Sequence, residues 1–375
     1  MHMPESAPHI LILSSWYPSE QHPFLGNFVR RHAQLLASKY RVTVINLIAS
    51  DASEKKAVSK AEDEGITEIQ ARYSGSSKLS RFGNRSRVFS DALKELDAVD
   101  LIIGHVLLPH GWMFLQAQKN LKCPLIWVEH GSYFRGDAKR RWSPRERLIR
   151  RSMVARSSEI VAVSETLRKD MLRSIASNEI KVIGNHVDEA LFTFKEKSNH
   201  PTTQFLHVST LDPKTKNPEG IVSACSILKE EGALFHLTIV SDEDHSHLKQ
   251  FAQANGVQDC IDFVGPQEWD AMPQFYHNSD AFILNSDYET FSIVLAESLS
   301  TGTPVITTHV GIAPEIPDKA QISVDKNNPE SLAKGMRSII EGKTFGYSEI
   351  AELGKQYHST SILEQWNQLI AKYVG

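Results

Sequence analysis

Short apolar runs alternate with longer segments of helical period along the whole chain. Such alternation is typical of parallel strands covered by helices. The first half predicts helices at 28–38 and 145–156 and the strands "HILILSS", "RVTVINLI", "LIIGHV", "LIWVEH", "EIVAVS" and "IKVIGN". The second half predicts the strands "QFLHVST", "LFHLTIV", "CIDFVG", "AFILNS", "PVITT" and "QISV". The pattern therefore predicts two doubly wound α/β domains.

The predicted domain boundary lies in a polar stretch, "EKSNHPTTQ", which reads as a linker near residue 195. The last segment, "SILEQWNQLIAKYVG", has helical period, and a helix there gathers its apolar residues on one face: Ile362, Leu363, Trp366, Leu369, Ile370 and Tyr373. Such a face needs a partner to cover it. We expect a first domain at 1–195 with 358–375 packed back on it, and a second domain at 196–357.

Composition is that of a soluble globular protein, with 375 residues, 41% apolar and 23% charged, enough chain for two cores. The three cysteines, Cys123, Cys225 and Cys260, are too few and too far apart for a disulfide framework or a zinc cluster. The apolar start "HILIL" is too short for a signal peptide, and no stretch of 18 residues is apolar enough to span a bilayer. These features predict a cytoplasmic protein in a reducing compartment.

Positive charge is concentrated in the run 135–156, which has nine basic and two acidic residues. The run suits either a solvated helix face or a surface for anionic lipid heads or an anionic acceptor, which would place the protein peripherally at the inner membrane face. Because no nucleic-acid recognition motif accompanies the charge, we expect no nucleic-acid partner.

Ligands of doubly wound sheets bind at the carboxyl ends of the strands, where the next helix offers unpaired amides. After the strand "AFILNS" the chain places Glu289 in a loop and Glu297 eight residues later on a predicted helix. Carboxylates accept from sugar hydroxyls, and the amides of Thr290–Ile293 suit a phosphate. A nucleotide sugar has both groups. If the pair stood alone, the simpler interpretation would be that Glu289 is a solvated loop residue and Glu297 an ordinary helix residue.

The segment "SDYETFSIVLAESLSTGTPVITT" resembles the E-x7-E signature of the fourth family of retaining glycosyltransferases, which have the GT-B fold. Further segments resemble other landmarks of that family, in its order: "WYPSEQHPFLGNFVRRHAQLLA", "VEHGSYF", "AVSETLRKDM", "VIGNHVDEALF" and "FLHVSTLDPKTKNPEGIVSA". The resemblance covers nearly the whole chain. It implies a GT-B fold, which is two doubly wound Rossmann-like domains with a cleft between them and a C-terminal helix that crosses back to the first.

The resemblance also implies roles for residues of the second domain. Glu297 would bind the ribose hydroxyls of the donor, and Glu289 would contact its sugar and act in catalysis. Lys216 resembles the lysine that binds the diphosphate. The donor would also be held by the amides of Thr290, Phe291, Ser292 and Ile293.

Two residues of the first domain resemble family positions near the donor. Gly26 stands where the backbone comes close to the diphosphate, although a plain turn glycine is the alternative. His130 matches the histidine near the donor sugar and the reaction centre, although a lone histidine at the end of a strand also suits a core position.

The second domain departs from the family pattern at its start. Ser209, Thr210 and Leu211 stand where Gly-Arg-Leu is usual, so the arginine that pairs with the diphosphate is missing. Lys214 or Lys216 would then compensate. His186 also replaces the usual glycine after Asn185.

A separate polar run contains Asp242, Asp244, His245 and His247, which could be read as metal ligands. Clustered polar residues after a strand are more typical of a solvated loop. We therefore expect no metal and no cofactor, with the nucleotide-diphosphate sugar as donor substrate.

Taken together, these features predict a retaining, metal-independent hexosyltransferase that moves a sugar from a nucleotide-diphosphate sugar to a hydroxyl of a saccharide or lipid-linked acceptor. Its pathway would be the synthesis of cell-surface polysaccharide or glycolipid. Two alternatives are a sugar-nucleotide epimerase of the same fold and a catalytically degenerate nucleotide-binding partner subunit.

Overall fold

The computed structural model describes residues 6–50, 57–136, 141–176, 179–197 and 200–374. The chain divides into two compact units. The first comprises Met1–Val163, Leu167–Ile183 and Leu363–Gly375, and the second comprises Ser164–Thr166 and Gly184–Ile362.

The first unit is built on an eight-stranded sheet with the order β3-β4-β2-β1-β5-β6-β7-β8. Its strands are β1 (His9–Ser14), β2 (Arg41–Ala49), β3 (Val58–Asp63), β4 (Ile66–Tyr73), β5 (Leu101–His105), β6 (Leu125–Glu129), β7 (Glu159–Ala162) and β8 (Lys181–Val182). The helices in this part of the chain are α1 (Asn27–Ala37), α2 (Lys78–Lys94), α3 (Trp112–Leu121), α4 (Pro144–Arg156) and α5 (Glu165–Leu172).

Strands β1, β5 and β6 are buried along their whole length, which explains their unbroken apolar sequences. All pairings in this sheet are parallel except that of β3 with β4. The sequence pattern does not predict this antiparallel hairpin. Its outer strand β3 has no buried residue, so it lacks the apolar run by which the other strands were found.

The second unit contains a six-stranded, all-parallel sheet with the order β11-β10-β9-β12-β13-β14. Its strands are β9 (Thr203–Val208), β10 (Phe235–Val240), β11 (Ile261–Val264), β12 (Ala281–Leu284), β13 (Val305–Thr308) and β14 (Gln321–Val324). Its helices are α6 (Pro218–Glu230), α7 (Ser246–Ala254), α8 (Met272–His277), α9 (Ile293–Ser300), α10 (Pro329–Ile340) and α11 (Tyr347–Gly354).

In each sheet the strand order reverses beside the first strand of the unit. In the first unit β1 lies between β2 and β5, and in the second β9 lies between β10 and β12. The loops that follow β1 and β5, and those that follow β9 and β12, therefore diverge and leave a crevice at the carboxyl edge of each sheet. Most of the sequence-predicted site residues lie in these loops.

The last helix, α12 (Ser359–Ile370), buries Trp366, Leu369 and Ile370, as the apolar face predicted. Its residues from Leu363 onwards belong to the first unit. Residues 184–195, which the sequence predicts to be part of the first domain, belong to the second unit. Phe192 shows why, because it is fully buried there against the rings of Trp269 and Tyr276.

Candidate active site

Lys216 and Glu289 form an ion pair in the second unit. Lys216 lies after β9 and Glu289 lies after β12, and the Lys216 Nζ is 2.5 Å from the Glu289 Oε1. The same oxygen accepts a hydrogen bond from the Ser286 hydroxyl at 2.8 Å. Both side chains of the pair are largely shielded, with exposed fractions of 21% and 11%. The structure thus brings together two of the predicted residues, and it is Lys216, not the exposed Lys214, that reaches the carboxylate.

The loop from Thr290 to Ser292 leads directly into α9 and is held by its backbone. The Thr290 carbonyl accepts from the Ser164 hydroxyl, and the Phe291 carbonyl accepts from the Ile312 amide. The Phe291 side chain is buried against Tyr357, so this residue offers a ligand only its main chain. The first amides of a helix have no intrahelical acceptor. The predicted donor-binding segment therefore presents, next to the Lys216–Glu289 pair, helix-start amides that donate to no other described residue.

Ser292 caps α9 in the left-handed region, with φ 71° and ψ 82°. Such a conformation is uncommon for any residue other than glycine and costs about 1–3 kcal/mol. Its hydroxyl makes no hydrogen bond to cap the helix, so the side chain does not compensate this cost. Backbone strain of this kind concentrates at ligand-binding turns, which agrees with the predicted role of the segment.

Glu297 lies on the buried face of α9 and is 1% exposed. Its Oε2 accepts a hydrogen bond from the Tyr276 hydroxyl at 2.8 Å. Burial, and then the nearby carboxylate, raises the pKa of that phenol. The structure therefore places Glu297 on α9, after the loop that carries Glu289, in a buried position that Tyr276 helps to define.

The segment that lacks the usual arginine is organised by His207 and Ser209. The buried imidazole of His207 bonds to the Ser209 hydroxyl at 2.8 Å and to the Ile283 carbonyl at 2.9 Å, and the same hydroxyl accepts from the Leu211 amide. Burial lowers the pKa of His207 to about 4. The next residue, Thr210, is exposed, so no cation replaces the arginine at its own position.

The polar run 242–247 makes local and surface contacts. Asp244 accepts from the amide and hydroxyl of Ser246 at the start of α7, and His247 bonds to Glu219. Within the ranges that the structure describes, no group of three or more His, Cys, Asp or Glu residues could hold a metal ion.

Gly26 lies in the first unit, immediately before α1, with φ 75°. A Cβ atom at this residue would lie 2.4 Å from the carbonyl oxygen of Trp16 and 2.9 Å from the amide nitrogen of Tyr17. Only glycine fits, both because of its positive φ and because of this close approach. The local backbone alone therefore explains why position 26 is a glycine. Its contact with a diphosphate stays a prediction.

His130 follows β6 and is connected to two further buried histidines. Its Nε2 is 3.0 Å from the Nδ1 of His105, and the Nε2 of His105 is 3.0 Å from the Nδ1 of His32. The ring of Phe28, on the first turn of α1, stacks on His130 with centroids 4.4 Å apart. Burial, assisted by the neighbouring His32, lowers the pKa of His130 to about 3, so this imidazole is neutral at pH 7.

The carboxylate of Glu129 organises the loop that carries His130. Its Oε1 accepts from the amides of His130 and Gly131 at 2.8 and 2.7 Å. Its Oε2 accepts from three further donors: the Leu107 amide, the Trp127 indole and the Tyr133 hydroxyl. Glu129 is fully buried, and burial raises the pKa of its carboxyl while these donors act in the opposite direction. Five donors on one side chain fix both the end of β6 and the loop after β5.

Two family models match consecutive parts of the chain, "Glycosyltransferase Family 4" over residues 25–191 and "Glycosyl transferases group 1" over residues 188–356. Together the two models cover residues 25–356, and the chain is a glycosyltransferase with both of these family domains. An uncharacterized glycosyltransferase of Methanocaldococcus jannaschii is 21% identical over 352 residues, which are 93% of this chain and 94% of that protein.

Solved structures share the GT-B fold over nearly the whole chain. Sucrose-phosphate synthase from Thermosynechococcus elongatus has a TM-score of 0.76 at 17% identity, covering 97% of this glycosyltransferase and 98% of that chain. HepE from Anabaena, solved in complex with UDP, has a TM-score of 0.72 at 17% identity, covering 97% and 100%. The predicted fold is therefore confirmed. None of the glycosyltransferase's described helices is both long and apolar enough to cross a membrane.

Several residues around the predicted positions were not found from the sequence of this glycosyltransferase. Glu129 has a sequence signal, because a carboxylate ends the otherwise apolar run "LIWVE". His105 ends the run "LIIGH" in the same way, and it too was not predicted as a site residue. His32 and Tyr276 lie within helices and contact their partners through tertiary packing, which no local pattern reports.

Proposed function

We propose that this glycosyltransferase is a retaining, metal-independent enzyme that transfers a sugar from a nucleotide-diphosphate sugar to a hydroxyl acceptor. The observation that carries the proposal is the Lys216–Glu289 ion pair beside the amides of Thr290–Ile293, at the point where the strand order of the second sheet reverses. A cation with helix-start amides suits a diphosphate, and a carboxylate suits sugar hydroxyls. The complex of HepE with UDP supports a nucleotide donor.

The proposed reaction breaks the bond between the anomeric carbon and the diphosphate and forms a bond from that carbon to the acceptor oxygen. The acceptor hydroxyl gives up its proton, and the leaving diphosphate takes it. Negative charge grows on the diphosphate as the bond breaks, so Lys216 and the amides of α9 stabilise the transition state more than the ground state. Retention follows if the leaving phosphate guides the acceptor to the face it has left. No metal has a role in this scheme.

Within this proposal the other predicted residues have separate tasks. Glu297 holds the ribose, Glu289 contacts the donor sugar and acts in catalysis, and His130 is a catalytic residue at the sugar. Gly26 lets backbone approach the diphosphate. Glu297 is buried, and the Tyr276 hydroxyl already bonds to one of its oxygens. The ribose must therefore either bind the other oxygen or share this one with Tyr276.

Alanine substitutions of the two glutamates are expected to impair different steps, nucleotide binding in one case and turnover in the other. Glu297→Ala removes a charged acceptor of the ribose, so it weakens nucleotide binding by about 1.5–3 kcal/mol, or roughly tenfold to more than a hundredfold. Glu289→Ala mainly lowers kcat. Calorimetry with a panel of nucleoside diphosphates measures the first effect, and assays of sugar transfer with the donor that binds measure the second.

Tyr276→Phe is the matched control, since it keeps the carboxylate of Glu297 and removes only the hydrogen bond to it. Wild-type donor affinity and wild-type turnover in both glutamate variants would contradict these roles. Product analysis separates the alternatives: an epimerase converts the donor without an acceptor. A chain that binds a nucleoside diphosphate but neither transfers nor converts the sugar would be the degenerate subunit.

We also propose that the acceptor is a saccharide or lipid-linked hydroxyl met at an anionic membrane, with the enzyme cytoplasmic and peripheral at the inner face. The support is a surface formed by α2 and α4. Leu79, Phe82 and Leu148 are exposed there, at 87%, 40% and 66%. The Arg145 guanidinium lies 4.7 Å from the centroid of the Phe82 ring, which joins the two helices. Exposed apolar side chains among arginines are typical of helices that lie in a membrane interface.

Liposome sedimentation tests this surface. Changing Arg140, Arg141, Arg150 and Arg151 to serine is expected to abolish most binding to anionic vesicles, because each basic residue near such a surface contributes about 1 kcal/mol. Arg140 lies outside the described residues. Leu79→Ser with Leu148→Ser should weaken binding without changing charge. The control removes the same number of positive charges elsewhere in the first unit, by changing four exposed lysines to serine: Lys39, Lys60, Lys119 and Lys122. Unchanged sedimentation of the arginine variant would remove the proposal.

A further inference from the structure

Three buried imidazoles form a continuous hydrogen-bonded chain in the first unit. His32 lies on α1, His105 ends β5 and His130 follows β6, and both nitrogen-to-nitrogen distances between consecutive rings are 3.0 Å. Their residues are 6%, 1% and 7% exposed. The three come from separate elements, so the chain is a product of the tertiary fold.

The protons in this chain are not independent. Burial holds the pKa of His105 well below its ordinary range and that of His130 at about 3, so each of these rings carries a single N–H at neutral pH. A hydrogen bond between two ring nitrogens needs one proton between them, because two protons would repel and two lone pairs would leave no bond. Since His105 uses both nitrogens, its one proton can serve only one of its two bonds.

Two arrangements satisfy this condition. In one, His32 Nδ1–H donates to His105 Nε2, His105 Nδ1–H donates to His130 Nε2, and His130 has its proton on Nδ1. In the other, His130 Nε2–H donates to His105 Nδ1, His105 Nε2–H donates to His32 Nδ1, and His130 Nδ1 is a bare acceptor. His105 and His130 therefore always share the same tautomer.

The free end of the chain is Nδ1 of His130. The Nε2 atom of His130 is hydrogen-bonded to His105, and no residue that the structure describes offers Nδ1 a hydrogen-bond partner. The ring cannot turn easily to exchange the two nitrogens, because Phe28 stacks on its face and Glu129 binds its backbone amide. Which of the two arrangements forms thus decides whether Nδ1 donates or accepts towards a ligand, and the other end of the arrangement is His32, which packs against Trp366 with centroids 4.5 Å apart.

We propose that His32 and His105 are positioning residues that set the tautomer of His130 through two hydrogen bonds. His32 does not touch His130 in this scheme and acts only through His105. The effect on turnover rests on the proposed function, in which His130 lies at the donor sugar, whereas the coupling of the tautomers does not.

The direct test is 15N NMR of the full chain labelled at histidine, since bare and protonated ring nitrogens have well-separated resonances. His105 and His130 should show one shared tautomer in the wild type. His32→Asp places an acceptor-only oxygen near the position of Nδ1 and should give Nε2–H on both rings. His32→Leu removes the bond and should leave His130 a mixture of tautomers, while His32→Asn, whose amide either donates or accepts, restores the bond and should again give His105 and His130 one shared tautomer.

The control is His9→Leu, because His9 is also buried in this sheet but bonds to Thr43 and Ala98 instead. It should leave the resonances of His130 unchanged. Opposite tautomers on His105 and His130 in the wild type would overturn the proposal even if a variant failed to fold, and so would a His130 pattern unchanged by His32→Leu.

Kinetics separate this proposal from the proposed function. His32→Leu should lower kcat about tenfold or more with little change in KM for the donor, and His32→Asn should rescue it. If the tautomers shift as expected and kcat does not change, the coupling stands and the catalytic role of His130 is wrong.

Discussion

Lys216→Met is expected to lower kcat of sugar transfer about 10²–10³-fold, the loss seen when one preorganised donor to a developing oxyanion is removed. The reason is that Lys216 is paired with Glu289 in the loop that leads into α9, where the charge on the leaving diphosphate would grow. The usual arginine is absent at Thr210, so no side chain at that position takes over. Steady-state kinetics with the donor found by calorimetry would measure the effect.

The ion pair makes a stability control necessary. Without Lys216, the shielded carboxylate of Glu289 keeps its hydrogen bond from Ser286 but loses its counter-charge. Lys214→Met is the matched control, because Lys214 is an exposed lysine two residues earlier on the same loop and should be neutral. A Lys216→Met enzyme that is folded and keeps wild-type kcat would show that the diphosphate is bound elsewhere.

Glu129→Gln should both destabilise the first unit and lower activity, although glutamine has nearly the same shape. In either orientation, the amide group of glutamine faces at least two buried N–H donors, either those of His130 and Gly131 or those of Leu107 and Trp127. Each donor left without an acceptor costs about 1–3 kcal/mol, so we expect a loss of roughly 2–6 kcal/mol. Thermal unfolding would show this as a lower midpoint for the first unit.

The loss of activity has a different origin. The loop after β6 can satisfy its amides only by moving, and His130 moves with it. A displacement of about 1 Å at a reacting centre can cost about a hundredfold in rate. Glu95→Gln, an exposed change in the same unit, is the control. Retention of both the wild-type midpoint and wild-type kcat in Glu129→Gln would mean that the carboxylate does not organise this loop.

Most of the fold could be predicted from the sequence, because the strands of both sheets are largely buried and therefore appear as apolar runs. "LIIGH" and "LIWVE" are examples, and they are strands β5 and β6. The hairpin of β3 and β4 escaped detection because half-exposed strands at a sheet edge have mixed composition. The division near residue 184 was also invisible, since the burial of Phe192 by Trp269 and Tyr276 depends on residues far along the chain.

Some residues of the candidate site could be predicted from the sequence and others could not, depending on whether they share a local motif or meet only in the folded structure. Glu289, Thr290 and Glu297 share one short motif, so their positions could be read together. Lys216 was ambiguous by spacing, and the ion pair with Glu289 now favours it over Lys214. The roles of all these residues stay predictions. The histidine chain could not be foreseen, because His32 and His105 are 73 positions apart and meet only when α1 lies over the end of β5.

Helix α12 has a consequence for experiments on parts of the chain. Residues up to Ile183 supply every strand of the first sheet, yet Trp366, Leu369 and Ile370 complete its packing from the opposite terminus. A fragment that ends at residue 183 would leave His32 without its contact to Trp366. It would also expose to water the apolar surface that the last helix covers. Anyone who wishes to produce that half alone should graft the final helix onto it, for instance by circular permutation, instead of merely shortening the gene.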